Sequence, residues 1–229
     1  MSEREGGQGR RASTGGGNPQ LNVVVLGLPG AGKGTQAGIF CKAQRIPKIS
    51  TGDMLRAAIA RDSALGRSVA AILERGGLVD DHTMVEVVRE RLAQRDTARG
   101  FLLDGFPRTV PQAESLDALL DGRDPLVVVY LEMAPQVIID RILQRKVCVS
   151  CGQPDTGSPP ADHCASCGGE LVVRVDDQLD VVRQRIAAYQ EHTQPLVDWD
   201  RSRGVLRVVN GDQSFTDVAR EFAAAVLGR

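Results

Sequence analysis

The sequence predicts an α/β fold, a central parallel sheet with helices on both faces and so three layers in all. Apolar strand-like runs alternate with helix-length stretches from Leu21 onward, the pattern of a parallel sheet covered on both sides. The first run feeds directly into a glycine-rich loop that opens a helix. Two stretches, 50–79 and 146–175, break the alternation. Both read as insertions at the carboxyl ends of the strands, where open α/β sheets bind ligands, and both are placed to act as moving lids.

Leu21-Asn-Val-Val-Val-Leu26 is the first strand, and Lys33 to Ala43 reads as the first helix. A strand near Pro47–Ile49 is too short to assign on its own. Helices at 53–60 and 66–75 follow with no strand between them, and a helix at 81–95 returns the chain to the sheet. Phe101–Asp104 is a short strand ending in an acid, followed by a helix at 111–121. Leu126–Leu131 is apolar on both faces, as an inner parallel strand must be, and precedes a helix at 135–145. Residues 177–202 read as one long helix that Pro195 kinks or splits. Val205–Val209 and a helix at 214–227 close the series. The order of the strands is not encoded in this pattern.

The loop Gly27-Leu-Pro-Gly-Ala-Gly-Lys33-Gly-Thr35 has the strand and helix flanks of a phosphate-binding P-loop. Its glycines let backbone N–H groups turn toward phosphate oxygens, the helix N-terminus adds partial positive charge, and Lys33 adds a full one. Gly34 stands where the strict pattern has Ser or Thr, so a Mg²⁺ ion rests on nucleotide phosphates, water and Asp104. Asp104-Gly-Phe-Pro-Arg108 sets that acid beside an arginine at a strand end.

Cys148-x-x-Cys151 is answered by Cys164-x-x-Cys167. Paired knuckles supply four thiolates to one tetrahedral ion and leave no open position, so they predict a structural zinc site. Cys41 lies on an apolar helical face and reads as a core residue. Four of five thiols in metal spacing fit a reducing compartment, and the chain is expected in the cytoplasm.

Other classes fit poorly. The formal net charge is −1 and aromatics are 3%, against the basic face and stacking residues of a nucleic-acid binder. No apolar run approaches a membrane span. Residues 1–20 contain almost nothing that could be buried, lack the apolar stretch of a secretory signal, and carry Glu3 and Glu5, unlike a transit peptide. They read as a disordered tail.

Gly27 to Gln36, Asp104 to Arg108 and the cysteine pairs with Cys167-Gly-Gly-Glu-Leu171 and Arg174-x-Asp-Asp177 together resemble adenylate kinases with a zinc-bearing lid. The resemblance covers nearly all of 21–229. It implies a P-loop NTPase fold whose core is 21–49, 80–145 and 176–229, with an NMP-binding insertion at 50–79 and a lid at 146–175. It implies that Gly30, Ala31, Gly32, Lys33, Gly34, Thr35, Arg141 and Arg145 bind ATP, Arg141 by stacking on adenine. Thr51, Arg56, Gly77, Leu78, Val79, Gly105, Arg108, Gln112, Arg174 and Arg185 would bind AMP. Lys33, Arg108, Arg145, Arg174, Arg185 and Asp104 would carry the transfer, with Asp176 and Asp177 holding arginines in place. The implied partners are ATP, AMP and ADP, and the implied state is a monomer. The spacer between the cysteine pairs is shorter than the family usually has. A UMP/CMP kinase of the same fold is the nearest rival; a P-loop switch is the rival from another class.

Overall fold

The computed structural model describes residues 20–152, 154–155 and 162–228. The tail predicted for 1–20 lies outside them, apart from Gln20.

In chain order the core begins with β1 (Leu21–Leu26), α1 (Lys33–Gln44) and β2 (Lys48–Ser50). Two short helices follow, α2 (Thr51–Ala60) and α3 (Ala64–Glu74), then α4 (Asp81–Leu92), β3 (Gly100–Asp104) and α5 (Val110–Leu119). After β4 (Leu126–Glu132) and α6 (Pro135–Gln144) comes a small sheet of β5 (Lys146–Cys148), β6 (Pro154–Asp155) and β7 (Leu171–Val172). The chain closes with α7 (Leu179–Ala188), α8 (Gln194–Ser202), β8 (Leu206–Asn210) and α9 (Phe215–Leu227).

Five strands form the main sheet in the order β2-β3-β1-β4-β8, all parallel. β1 is therefore the middle strand, and its β-branched residues Val23, Val24 and Val25 are buried. Phe101, Leu102 and Leu103 of β3 are fully buried, as expected of an inner strand of a parallel sheet covered on both faces. α1 and α9 meet on one face through Phe40 and Phe222, ring centroids 5.4 Å apart, beside the buried Cys41.

Several boundaries differ from the sequence reading by a residue or more, and three of the differences have a plain local cause. α2 starts at Thr51 and not 53, because the Ser50 hydroxyl accepts the Asp53 N–H and so caps the helix earlier. The helix expected to reach residue 95 stops at Leu92. There the Thr97 hydroxyl takes the freed Leu92 carbonyl (2.7 Å) and Arg91 grips Asp96 through two hydrogen bonds (2.8 and 2.7 Å), so the chain turns. The long helix 177–202 is three pieces: a single 3₁₀ turn at Val175–Asp177, then α7, then α8 after a widened π turn at Tyr189–Thr193. Pro195 has no N–H to return to the preceding turn, and the wider turn absorbs that loss.

The stretch 146–175 is sheeted as well. β5 is the middle strand of an antiparallel set, with Lys146 opposite Asp155 and Cys148 opposite Leu171. Strands of two or three residues carry no legible alternation, so the sequence did not disclose them.

Candidate nucleotide cleft and metal centre

The phosphate loop leaves the carboxyl end of β1 and passes under the first turn of α1. Gly30 and Gly32 both sit at φ 87°, a conformation that only glycine adopts without strain. Lys33 folds back over the loop, its Nζ donating to the carbonyls of Gly27 (2.7 Å) and Leu28 (2.8 Å). Burial pushes its amine down to about 8; Asp104 opposes this, while Arg108, Arg185 and Arg145 add to it. An arriving phosphate would give that amine an anion in place of two neutral carbonyls. A Cβ on Gly34 would stand 3.2 Å from Asp104 Oδ2, so the missing side chain leaves space beside the carboxylate.

The opposite wall comes from α2, the 76–79 turn and the loop after β3. Thr51 is buried with its hydroxyl 3.4 Å from the Asp104 carbonyl. Arg56 pairs with Asp53, whose N–H donates to the Ser50 hydroxyl. Arg108 Nε donates to the Gly105 carbonyl at 2.9 Å; burial lowers its guanidinium from the ordinary value, opposed by Asp104. Gln112 is buried and accepts the Arg108 N–H (2.8 Å) while donating to Asp81 (2.7 Å). Gly76, at φ 69°, lets the Arg185 Cγ approach to where a Cβ would be only 2.7 Å away, seating this turn against α7.

Three further arginines are held by two acids. Arg145 meets Asp177 through Nε (2.9 Å) and Nη2 (2.5 Å), and Arg174 meets Asp176 through the same two nitrogens (2.9 and 2.6 Å). Arg185 Nη1 reaches Asp177 (3.1 Å) and the Asp176 carbonyl (3.0 Å). Burial would raise the Asp176 carboxyl, but Arg185 and Arg174 hold it below the usual range. Burial drives Arg185 down to about 10, with Asp176 opposing. Arg141 is more exposed, donating to the Met133 sulfur at 3.3 Å, with Asp212 3.8 Å away.

Every residue that the sequence assigned to ATP, AMP and the transfer lines one cleft of about 570 Å³. Lys48, Tyr189 and Gln213 also line it and were not nominated. Lys48 Nζ lies 3.4 Å from the Gly34 carbonyl. Its only sequence signal is position, two residues ahead of the Ser50 cap; Gln213 arrives from the far end of the chain. His82 and His192 are exposed, in keeping with solvated helix residues.

The four cysteine ligand atoms all lie within 4.8 Å of one another. Cys148 and Cys167 sulfurs are 3.4 Å apart, and Cys151 and Cys164 are 3.6 Å apart. These are close to the roughly 3.8 Å edge of a tetrahedron with Zn–S bonds of about 2.3 Å. Backbone N–H groups of Cys151 and Ser150 draw the Cys148 thiol down to about 6. The Gly169 N–H favours the Cys167 thiolate too, yet neighbouring Cys151 and Cys148 push it up to about 12. A central cation relieves that crowding of negative charge, so the set fits a thiophilic metal.

The adenylate kinase family model matches residues 25–205. Among curated relatives, the adenylate kinase of Trichlorobacter lovleyi is 45% identical over 213 residues, 90% of this chain and 100% of that one. That of Desulfitobacterium hafniense is 41% identical, covering 90% and 98%. The Archaeoglobus fulgidus protein, also an adenylate kinase, is 40% identical over 89% and 97%. A P-loop at the middle strand, a ring of arginines around its mouth and these matched lengths lead to one assignment: the chain belongs to the adenylate kinase family.

Proposed function

We propose that the chain transfers the terminal phosphoryl of ATP to AMP, reversibly, giving two ADP. The observation that carries this is the convergence of Lys33, Arg56, Arg108, Arg145, Arg174 and Arg185 on one cleft that the phosphate loop, Thr51 and Gln112 also line. Phosphoryl transfer needs positioning and electrostatic stabilisation more than covalent chemistry, and no phosphoenzyme is required.

ATP takes the loop side, with its phosphates on Gly30–Thr35 and Lys33, Arg145 beside them and Arg141 against its adenine. AMP takes the side of Thr51, Arg56, Gly77, Leu78, Val79, Gly105, Arg108 and Gln112. Arg174 and Arg185 lie where both phosphate chains end. Mg²⁺ would come with ATP and screen its phosphates, with Asp104 the carboxylate placed to hold it. Zn²⁺ is held by Cys148, Cys151, Cys164 and Cys167, away from the transfer. We assign the core to 21–49, 80–145 and 176–229, the NMP-binding unit to 50–79 and the lid to 146–175. Among the described residues no helix is long and apolar enough to cross a membrane; a cytoplasmic monomer suits this reading.

A coupled assay with ATP and each of AMP, GMP, CMP and UMP tests the assignment. AMP is expected to exceed the others in kcat/KM by at least about a hundredfold, because a site built for hydrogen bonds leaves groups unpaired with the wrong base. Comparable values for CMP or UMP overturn it.

A further inference from the structure

Asp81, the first residue of α4, lies outside the lining of the cleft, yet its carboxylate meets Gln112, one of the side chains assigned to AMP. Asp81 Oδ1 accepts from Gln112 Nε2 at 2.7 Å, and Oδ2 accepts from the Thr109 hydroxyl at 3.1 Å. Thr109 in turn caps α5, accepting the Gln112 N–H at 3.3 Å. On its other side the Gln112 carboxamide oxygen accepts the Arg108 N–H at 2.8 Å. The Thr-x-x-Gln spacing is that of a capping box, but here the glutamine reaches back one residue further, to Arg108, and spends its amino group on a different helix.

These partners leave the carboxamide one orientation. A backbone N–H can only donate, so the group facing Arg108 is the oxygen. A carboxylate only accepts, so the group facing Asp81 is the amino group. Turning the amide over would set oxygen against carboxylate and N–H against N–H, inside a buried site where such mismatches are costly. With one hydrogen and one lone pair committed, the amide keeps one N–H and one lone pair. Adenine offers the matching pair, an exocyclic amino donor and the ring N1 acceptor. A 6-oxopurine offers the opposite pair, a carbonyl oxygen and a ring N–H, and suits only the inverted amide.

We propose that Asp81 is a positioning residue for base choice, locking the Gln112 amide so that it accepts 6-aminopurine and rejects 6-oxopurine acceptors. The proposal rests on the reading above that places Gln112 at the AMP site, and it takes the carboxamide to face the base.

The test compares AMP with IMP, nearly the same shape with the donor and acceptor exchanged. With ATP as donor, wild type is expected to prefer AMP strongly. Asp81→Ala removes one of the two fixed partners and leaves the Arg108 N–H alone to hold the oxygen, so inversion costs less and the IMP/AMP ratio of kcat/KM should rise about tenfold, chiefly through KM. Asp81→Asn can turn either an oxygen or an amino group toward Gln112, so it holds the amide less firmly and should raise the ratio partway toward the alanine value. Asp81→Ser suits the start of a helix, is too short to reach Gln112, and should reproduce the alanine result if that variant folds poorly. Asp80→Ala is the control. Asp80 caps the same helix through the Thr83 N–H at 2.9 Å and does not touch Gln112, so the ratio should stay unchanged. Equal losses with AMP and IMP in Asp81→Ala, or a matching shift in Asp80→Ala, overturn the lock. A wild type that uses CMP or UMP as well as AMP overturns the acceptor assignment itself, and that failure is visible without any variant.

Discussion

Asp177, with no solvent exposure at its side chain, grips Arg145 with both carboxylate oxygens across the two points where the chain enters and leaves the segment 146–175. The same carboxylate takes Arg185 at 3.1 Å. One acid therefore fixes two cations from α6 and α7 and ties both ends of the small sheet together.

Asp177→Ala should accordingly cost more than a surface pair. Removing one partner from a buried ion pair strands the other charge, an effect of about 3 kcal/mol or more. Both arginines would also lose their aim, so kcat should fall at least tenfold alongside the loss of stability. Denaturant unfolding and steady-state kinetics on the same preparation check this. Wild-type stability together with wild-type kcat would remove Asp177 from the architecture of the site.

The buried amine of Lys33 predicts a pH signature. In the nucleotide-free protein it titrates near about 8, against an ordinary 10.5. A bound triphosphate favours the charged amine and raises that value. Between about pH 8 and 10.5 binding must then take up a proton, so ATP affinity falls as pH rises through this window. Below it Lys33 is protonated in both states and contributes no slope. Calorimetry at pH 9 in two buffers of different ionisation enthalpy should report an uptake that is absent in Lys33→Met. Equal heats in the two buffers for wild type would show that the amine is not suppressed.

Metal removal should separate folding from chemistry. Four cysteines fill the coordination shell and leave no position for substrate, while metal binding in so small a sheet is coupled to its folding. Chelation should lower Tm by ~5 °C or more and leave most of kcat at 25 °C. Replacing Cys148 and Cys151 by serine should do the same. Cys41→Ser should leave metal content unchanged, since burial pushes that thiol up to about 12 and it packs in the core. Metal analysis, melting and kinetics on these forms decide it; a metal-replete wild type without zinc would remove the site.

The legible part of the cleft was the part written locally. Lys33 follows its glycines within one loop, Arg108 follows Asp104 within one strand end, and each cysteine pair spans four residues, so spacing singled these residues out, while the role of Arg108 came from the resemblance. Asp81 and Gln213 were missed because their relation to the site is made by folding: Asp81 lies 31 positions from Gln112, and Gln213 enters from beyond β8. Strand order was hidden for the same reason, since side-chain pattern reports which faces are buried and not which strand lies alongside. The break in 177–202 was half visible. Proline announced it, but the five-residue π turn that accommodates it has no composition of its own.

The cysteine cluster has a consequence for how the protein can vary. Twelve residues separate Cys151 from Cys164, and the sulfurs at the two ends lie 3.6 Å apart. For a connection pinned at both ends, length enters only logarithmically, at about 0.6 kcal/mol for each doubling. A metal held by the four sulfurs would therefore make the length of that connection matter little to Arg145 and Arg174 on either side of it. With such a clasp in place, a short spacer would change the stability of this segment by only a few tenths of a kcal/mol (about 0.6 for each halving of its length) and would leave the cleft as it is.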